Sequence, residues 1–429
     1  MNIVFINPYM PIDDKLTILH PPLGFGFLST ALKKKGNNVC LLDLPLILPA
    51  ERMQVIDDCL RKNEGGIVGF TCVTQTYAIA LKLAEYIKEK FPPFYILFGG
   101  SHVTFTAKET IERFGFVDYV LTYESEYTIV ELTEFLKVKK GSIDEIQGLV
   151  YRDTSGKACQ TKNRLAETDI DLFGFPDREI FDMKHYLKCD YETVVMTAKG
   201  CPNRCAFCSS CLIGQKHRVN SINHVIKELK MVLGMGFRSV FFGDDTFPAD
   251  RERTIKLCDE IIRQKIRFEW TCNMRVIDVE EELIKKMRSA GMYRTFIGFE
   301  SFDDKTLKQL GKGSSLEKQI MASKILKKEG VELHASMIVG CASDTIESIK
   351  NNVCFLRDII RPTIATFNTI ELRPGTEAYK YPEKYGFFMK NPFWYERTDC
   401  VNDIHVSTAN LTAAEIRLLC AKSYEWFYE

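Results

Sequence analysis

The chain has 429 residues, 45% of them hydrophobic, and its 57 Lys+Arg balance 57 Asp+Glu. That size and composition suit two or three domains, each with a core of its own. A net charge of zero gives no overall attraction for nucleic acid or an anionic membrane.

No apolar run reaches the ~18 residues of a spanning helix. MNIVFINPYM enters a strand-like segment without the pattern of an export leader. We therefore expect a cytoplasmic protein with neither a membrane nor a nucleic-acid partner. Its fifteen cysteines then argue against a disulfide framework. The scattered Cys40, Cys59, Cys72, Cys258, Cys354 and Cys420 read as small buried hydrophobes.

Residues 1–140 alternate short β-branched runs with amphipathic stretches. The runs are NIVFIN (2–7), NVCLLD (38–43), GIVGFT (66–71), FYILFG (94–99) and DYVL (118–121). Such alternation predicts an open, Rossmann-like parallel sheet covered on both faces, with its ligand crevice at the carboxyl ends of the strands. Residues 141–190 lose the pattern and read as a linker with accessory turns, GLVYRD and TSGKACQ forming a small hairpin. From 191 to 372 six strand–helix repeats restart (ETVVMTA, RSVFFG, RFEWTCN, RTFIGFE, ELHASMIVG and TIATFNTIEL). They predict a partial (β/α)6 barrel with its site at the strands' carboxyl ends. Residues 373–429 form an aromatic-rich, helical C-terminal region, of which FFMKNPFWYERTD (387–399) either caps the barrel mouth or simply packs.

CPNRCAFCSSC (201–211) follows the first barrel strand. Four thiolates would close a zinc or iron–sulfur site, whereas three would leave one iron open. Zinc sites usually pair two distant knuckles, and ferredoxin clusters follow a different cysteine order. Cys201-x3-Cys205-x2-Cys208, with Phe207 before the last cysteine, resembles the signature of the radical S-adenosylmethionine superfamily. The resemblance implies a 4Fe-4S cluster on Cys201, Cys205 and Cys208, whose open iron chelates S-adenosylmethionine with Phe207 among the contacts to it, and whose electron generates a 5′-deoxyadenosyl radical. Cys211 falls outside the pattern; we expect it to be buried and not to ligate iron.

The likeness continues along the barrel. FFGDDTF places Asp244 and Asp245 where relatives hold the methionyl amino group, a helix cap being the alternative for one of them. Arg275 in CNMRV resembles a site-facing arginine, a surface salt bridge being its alternative. Glu300 in GFES is expected to contact S-adenosylmethionine, because an unpaired carboxylate there is costly, with structural pairing as its alternative. Gly340 in MIVGCASD matches a segment near the adenine, although Cys341-Ala342 replaces the proline usual there. RPGTEAY (373–379) resembles the turn after the sixth strand.

INPY, PPLGFGFLSTALKKKG, LFGGSHVT and YESEYT resemble, in order, the cobalamin-binding domain that precedes many such barrels. This implies cobalamin contacts from Asn7, Pro8, Gly24, Thr71, Thr74, Gly99, Gly100, His102, Thr104, Glu124 and Glu126. Tyr123 and Ser125 stand where the family has glycines. His102 reads as a loop contact, and Asp403-Ile-His405 as a chance Asp-x-His, so cobalt is expected to carry no histidine. A domain that has lost the cofactor is the alternative; a nicotinamide fingerprint is discounted because Gly24 lies too far beyond its strand.

The function expected from this resemblance is radical hydrogen abstraction with methyl transfer to an unactivated carbon of a small molecule or natural-product precursor. A small-molecule or peptide substrate and a flavodoxin- or ferredoxin-like electron donor go with it. A cyclase, oxidase or dehydratase of the same architecture is the alternative. A non-enzymatic electron carrier or corrinoid module is the reading from another class. A transfer-RNA methylthiotransferase is discounted, since a second cysteine trio is lacking.

Overall fold

The computed structural model describes residues 1–11, 20–63, 65–188, 192–398 and 405–429. Two units divide the chain: Met1–Tyr186 with Phe393–Asp403, and Leu187–Pro392 with Ile404–Glu429.

In the first unit the elements run β1 (Asn2–Asn7), α1 (Leu23–Lys33), β2 (Asn38–Asp43), α2 (Arg52–Asn63), β3 (Gly66–Thr71) and α3 (Tyr77–Lys90). They continue with β4 (Phe94–Gly99), α4 (Ser101–Arg113), β5 (Tyr119–Leu121), α5 (Glu126–Val138), β6 (Leu149–Arg152) and β7 (Ala158–Gln160). The sheet order is β2-β1-β3-β4-β5-β6-β7. Strands β1 to β5 pair in parallel, and the β6–β7 hairpin adds an antiparallel edge. Successive residues Ile3 to Ile6 are all buried, as both-face coverage of a parallel sheet requires. The predicted linker is thus largely part of this unit, its hairpin extending the sheet. The 190/191 boundary of the sequence reading lies outside the described residues.

The second unit begins in α6 (Met183–Lys188) and continues through β8 (Thr193–Val195), β9 (Ala198–Lys199), α7 (Ser210–Ile213), β10 (Arg218–Val219) and α8 (Ile222–Gly234). Next come β11 (Ser239–Phe242), α9 (Arg251–Arg263), β12 (Glu269–Met274), α10 (Glu281–Ser289), β13 (Met292–Glu300), α11 (Asp304–Gln309) and α12 (Leu316–Lys328). The chain ends with β14 (Glu332–Val339), α13 (Ile346–Phe355), β15 (Ile364–Thr369), α14 (Glu377–Lys380), β16 (Phe388–Met389), β17 (Val406–Ser407) and α15 (Ala413–Tyr428). Six parallel strands lie in the order β15-β14-β13-β12-β11-β8, an open partial barrel.

The aromatic C-terminal region has two destinations. Tyr424 and Tyr428 on α15 bring their hydroxyls to the edge strand, each pairing with both the N–H and the carbonyl of Phe367 and Ala365 respectively at 3.0–3.1 Å. Those groups would otherwise be an open sheet edge. Residues 393–398 belong instead to the first unit. There Trp394 and Tyr395 are buried, and Glu396 pairs with Arg113 of α4 at 2.6 Å. Within that unit their role is packing; Asp399 lies outside the described residues.

Candidate active site

The cysteine loop grows from the end of β8, and what fixes that end is Asp244. Its carboxylate accepts from Thr197 N (2.6 Å), Ala198 N (3.0 Å) and Thr197 Oγ1 (2.5 Å). Arg253 on α9 adds Nη2 bonds to Thr197 O and Asn220 O, both at 3.0 Å. Burial pushes the Asp244 carboxyl up to about 6 against these hydrogen bonds. Both oxygens of Asp244 are thus committed to backbone and hydroxyl, which departs from the expected ligand role. Asp245 keeps the open position. Its side chain is the more exposed of the two; partial desolvation raises its carboxyl, while a hydrogen bond with Ser210 and then the charge of His217 lower it.

Beyond Ala198 the chain makes a closed hoop. Antiparallel β9–β10 forms its base. At its neck Gly200, with φ +81°, has a Cβ position 2.5 Å from Lys216 O, while that of Gly214 falls 2.2 Å from Gly200 Cα. No side chain fits at either point. Two further bonds grip the hoop, Ala206 N to Leu310 O and Ala378 N to Ala206 O, both 2.9 Å. Phe207 packs against the cluster of Ile370, Leu372, Ala378, Phe387 and Val406. The RPGT turn and Phe207 therefore act together to anchor the loop.

Cys201, Cys205 and Cys208 are half-buried on this hoop. Burial raises the Cys205 thiol, and the charges of Lys312 and Arg275 work against that rise. Cys211 is half-buried as well. Burial, Cys208 and Cys201 all raise its thiol, so it lies beside the trio rather than in the core as expected. Among the described residues no three His, Cys, Asp or Glu side chains gather as a site for one metal ion. A cluster, in which each iron takes a single thiolate, asks for wider spacing, and three loop thiols beside two cations fit its anionic charge.

Arg275 follows β12. Its guanidinium donates Nη1 to Asn203 Oδ1 inside the cysteine loop and Nη2 to Lys312 O, while Nε is buried without a partner. This is not a surface salt bridge, since Arg275 is buried. Glu300 ends β13 at a register shift with φ +66°, a left-handed conformation that costs a non-glycine residue of order 1–3 kcal/mol. The turn is braced by Gln319, whose Nε2 donates to Phe299 O (2.9 Å) and Ser301 O (3.1 Å). Glu300 Oε1 accepts from Lys312 Nζ at 2.9 Å, and both side chains are about one-tenth exposed. The carboxylate expected to meet a ligand is thus paired within the protein. Lys312 was missed by sequence reasoning; its only signal was a lysine between two glycines, GKG at 311–313. Burial lowers the Lys312 ammonium pKa, but Glu300 and Cys205 outweigh that, and the net shift is upward.

Gly340 has φ +95°, and its Cβ position lies 2.7 Å from Ile416 of α15. The close approach it permits in the folded chain is to that helix. The same turn is held by Asp344, whose Oδ2 accepts from Gly340 N (2.9 Å) and Cys341 N (2.8 Å).

In the first unit, Asn7 and Asp43 close the carboxyl ends of β1 and β2. Asn7 Nδ2 donates to Asp43 Oδ1 and Tyr186 OH to Oδ2, both at 2.7 Å. Pro8 is buried. Gly24 is exposed and its Cβ position meets nothing; Gly26 is the constrained glycine, 2.9 Å from Pro176 Cβ. Thr71 ends β3, and a Cβ on Gly100 (φ +105°) would fall 2.8 Å from Cys72 O and 3.2 Å from Thr71 Oγ1. Gly99 has open space at its Cβ position.

His102 corrects the reading as a loop contact. It sits in the first turn of α4, 2% exposed, between Tyr77 and Tyr395 at 4.3 and 4.4 Å, with Nδ1 3.2 Å from Thr74 Oγ1. Burial lowers its imidazole to about 3, so the ring is neutral. Thr104 Oγ1 donates to Gly100 O (3.0 Å) and accepts from Tyr123 N (3.1 Å). Tyr123 holds φ +58°, the conformation a glycine would take there. Glu124 is half-buried, and Glu126 is buried in the first turn of α5, where a carboxylate complements the helix dipole. His405 Nε2 accepts from Leu372 N at 3.3 Å; Asp403 lies outside the described residues.

Residues 195–355 match the Radical SAM superfamily, and residues 12–133 match the B12 binding domain. The chain is 30% identical over 416 residues to the uncharacterized methyltransferase PH0819 of Pyrococcus horikoshii, covering 95% of this chain and 88% of that protein. The chain belongs to the radical S-adenosylmethionine proteins that carry a B12-binding domain. It is 25% identical to the anaerobic magnesium-protoporphyrin IX monomethyl ester cyclase of Rubrivivax gelatinosus, over 83% of this chain and 66% of that one. Among solved structures it resembles the radical S-adenosylmethionine methyltransferase TsrM of Kitasatospora setae, solved with cobalamin and a [4Fe-4S] cluster. The TM-score is 0.74 at 17% identity, over 91% of this chain and 80% of that one. As a radical SAM protein of this family it is an enzyme. No described helix is long and apolar enough to cross a membrane.

Proposed function

We propose that this enzyme is a cobalamin-dependent radical SAM methylase acting on a carbon of a small molecule. The observation that carries this reading is the cysteine hoop. Three half-buried thiols on a glycine-necked loop are held by Thr197–Asp244 at the root and by Arg275 and Lys312 at the rim. Cys201, Cys205 and Cys208 would hold the 4Fe-4S cluster, and the β1–β5 sheet would hold cobalamin at the carboxyl ends of its strands. When bound, the cluster supplies an electron for cleavage of S-adenosylmethionine, and cobalamin carries a methyl group.

The protein's own part is charge and shape. Arg275 and Lys312 place positive charge beside the thiolates, and Asp245 presents an open carboxylate to a cationic ligand group. Glu300 reaches this rim through Lys312. Cyclisation is the second reading, favoured by the likeness to the Rubrivivax gelatinosus cyclase. A flavodoxin- or ferredoxin-like electron donor and a cytoplasmic location complete the proposal.

The test is anaerobic reconstitution with iron, sulfide and cobalamin, followed by a low-potential reductant and S-adenosylmethionine bearing a deuterated methyl group. Appearance of labelled methylcobalamin is expected. Protein with full cluster and bound cobalamin that never acquires the label defeats the methylase reading.

A further inference from the structure

Away from the site just described, the first unit contains two cysteines in contact. Cys40 on β2 and Cys59 on α2 bring their sulfurs to 3.8 Å. Neither is a buried hydrophobe as the sequence reading held; both are half-buried. They line an open cleft of about 510 Å³ together with Asp58, Lys62 and Asn63. Among the described residues strand β2 is the edge of its sheet and pairs with β1. Cys40 stands in the amino-terminal half of that strand, away from the carboxyl ends where ligands of such sheets bind.

We propose that Cys40 and Cys59 form a dithiol site that reacts with small-molecule disulfides and closes to a Cys40–Cys59 bridge, stapling α2 to the sheet edge. The two thiols are not equivalent. Asn63 Nδ2 lies 3.7 Å from Cys59 Sγ as a donor, its other bond going to Cys59 O at 2.8 Å. Cys40, Lys62 and Asn63 lower the Cys59 thiol against burial, whereas the bond to Cys59 and then burial hold Cys40 protonated. The Asn63 donor on its sulfur, with the positive charge of Lys62 beside it, assigns Cys59 as the attacking thiolate and Cys40 as the resolving thiol.

In the first step Cys59 sulfur bonds to one sulfur of the small disulfide, whose S–S bond breaks and releases one thiolate. In the second, Cys40 gives its proton to the thiolate released in the first step and its sulfur attacks Cys59 sulfur, expelling the other small thiolate. The protein dithiol loses two electrons and the small disulfide gains them. The remaining change is rotation of two side chains already in van der Waals contact, bringing the sulfurs to bonding distance.

The experiment uses the anaerobic holoprotein and glutathione disulfide as the probe. After a thiol quench, proteolysis without reduction and mass spectrometry map every cysteine. Accumulation of the linked 40–59 peptide, reversed by a dithiol reductant, is expected. Cys40→Ser should stop at a Cys59–glutathione mixed disulfide, and Cys59→Ser should slow modification of Cys40 by about tenfold or more. Recovery of Cys40 and Cys59 as free thiols while other cysteines react overturns the proposal. So does their recovery as two separate glutathione adducts. The wild-type map decides by itself if either variant folds poorly.

Discussion

Removing the Lys312 ammonium tests whether the rim of the cysteine loop is held as described. Its Nζ lies 2.9 Å from Glu300 Oε1, with side chains 10% and 9% exposed. At that distance and an effective dielectric of about 20, Coulomb's law gives roughly 6 kcal/mol of attraction before desolvation is charged against it. Deleting one partner of a buried pair costs ~3–5 kcal/mol, whereas an exposed pair is worth at most about 1. Lys312→Met keeps the chain's bulk and its carbonyl bond to Arg275, and leaves the Glu300 carboxylate without a counter-charge. Anaerobic urea unfolding should show a loss of ~3–5 kcal/mol. Lys312→Met combined with Glu300→Gln should be more stable than Lys312→Met alone, because no buried charge is then stranded. A single variant within about 1 kcal/mol of wild type would refute the buried pair as the rim's fastening.

Other outcomes follow from the same geometry. Asp244 has its folded pKa raised to about 6, above the ~3.9 of an unfolded aspartate, so its contribution is greatest at low pH and is lost as pH rises toward and through 6. The stability of Asp244→Asn relative to wild type should therefore improve by about 1–1.5 kcal/mol from pH 5 to pH 8 in urea unfolding; a flat difference counts against the assignment. Gly214→Ala puts a Cβ 2.2 Å from Gly200 Cα and should lower iron bound per chain, measured against unchanged far-ultraviolet dichroism; full iron loading would mean that the neck is not closed. Cys211→Ala should retain the iron and the S-adenosylmethionine binding of wild type by calorimetry, whereas loss of the cluster would make Cys211 a ligand.

Much of the fold and the cysteine loop could be read from the chain because their signals are local. Strand runs such as NIVFIN and FYILFG and the CxxxCxxC spacing need no tertiary information. What could not be read shares a cause, since it concerns what a side chain meets from a distant element. Asp244 and Asp245 are adjacent and chemically alike; only Thr197 and Ala198, nearly fifty residues upstream, distinguish them. Lys312 carries no pattern that predicts Glu300 as partner, and Gly340 gives no hint that Ile416 fills its space. His102 sits in a glycine-rich motif that suggests a loop, yet Tyr395 from the far end of the chain helps to bury it. Cys40 and Cys59 lie in different elements, and their contact depends on how α2 returns to the sheet edge.

The measurement that bears most directly on the central claim is 5′-deoxyadenosine production. Protein reconstituted anaerobically with iron and sulfide, given a low-potential reductant and S-adenosylmethionine, is assayed by chromatography beside a variant with Cys201, Cys205 and Cys208 all replaced by Ala. The first is expected to yield 5′-deoxyadenosine and the second none above background. No product from iron-loaded wild-type protein, or equal product from both, would contradict it.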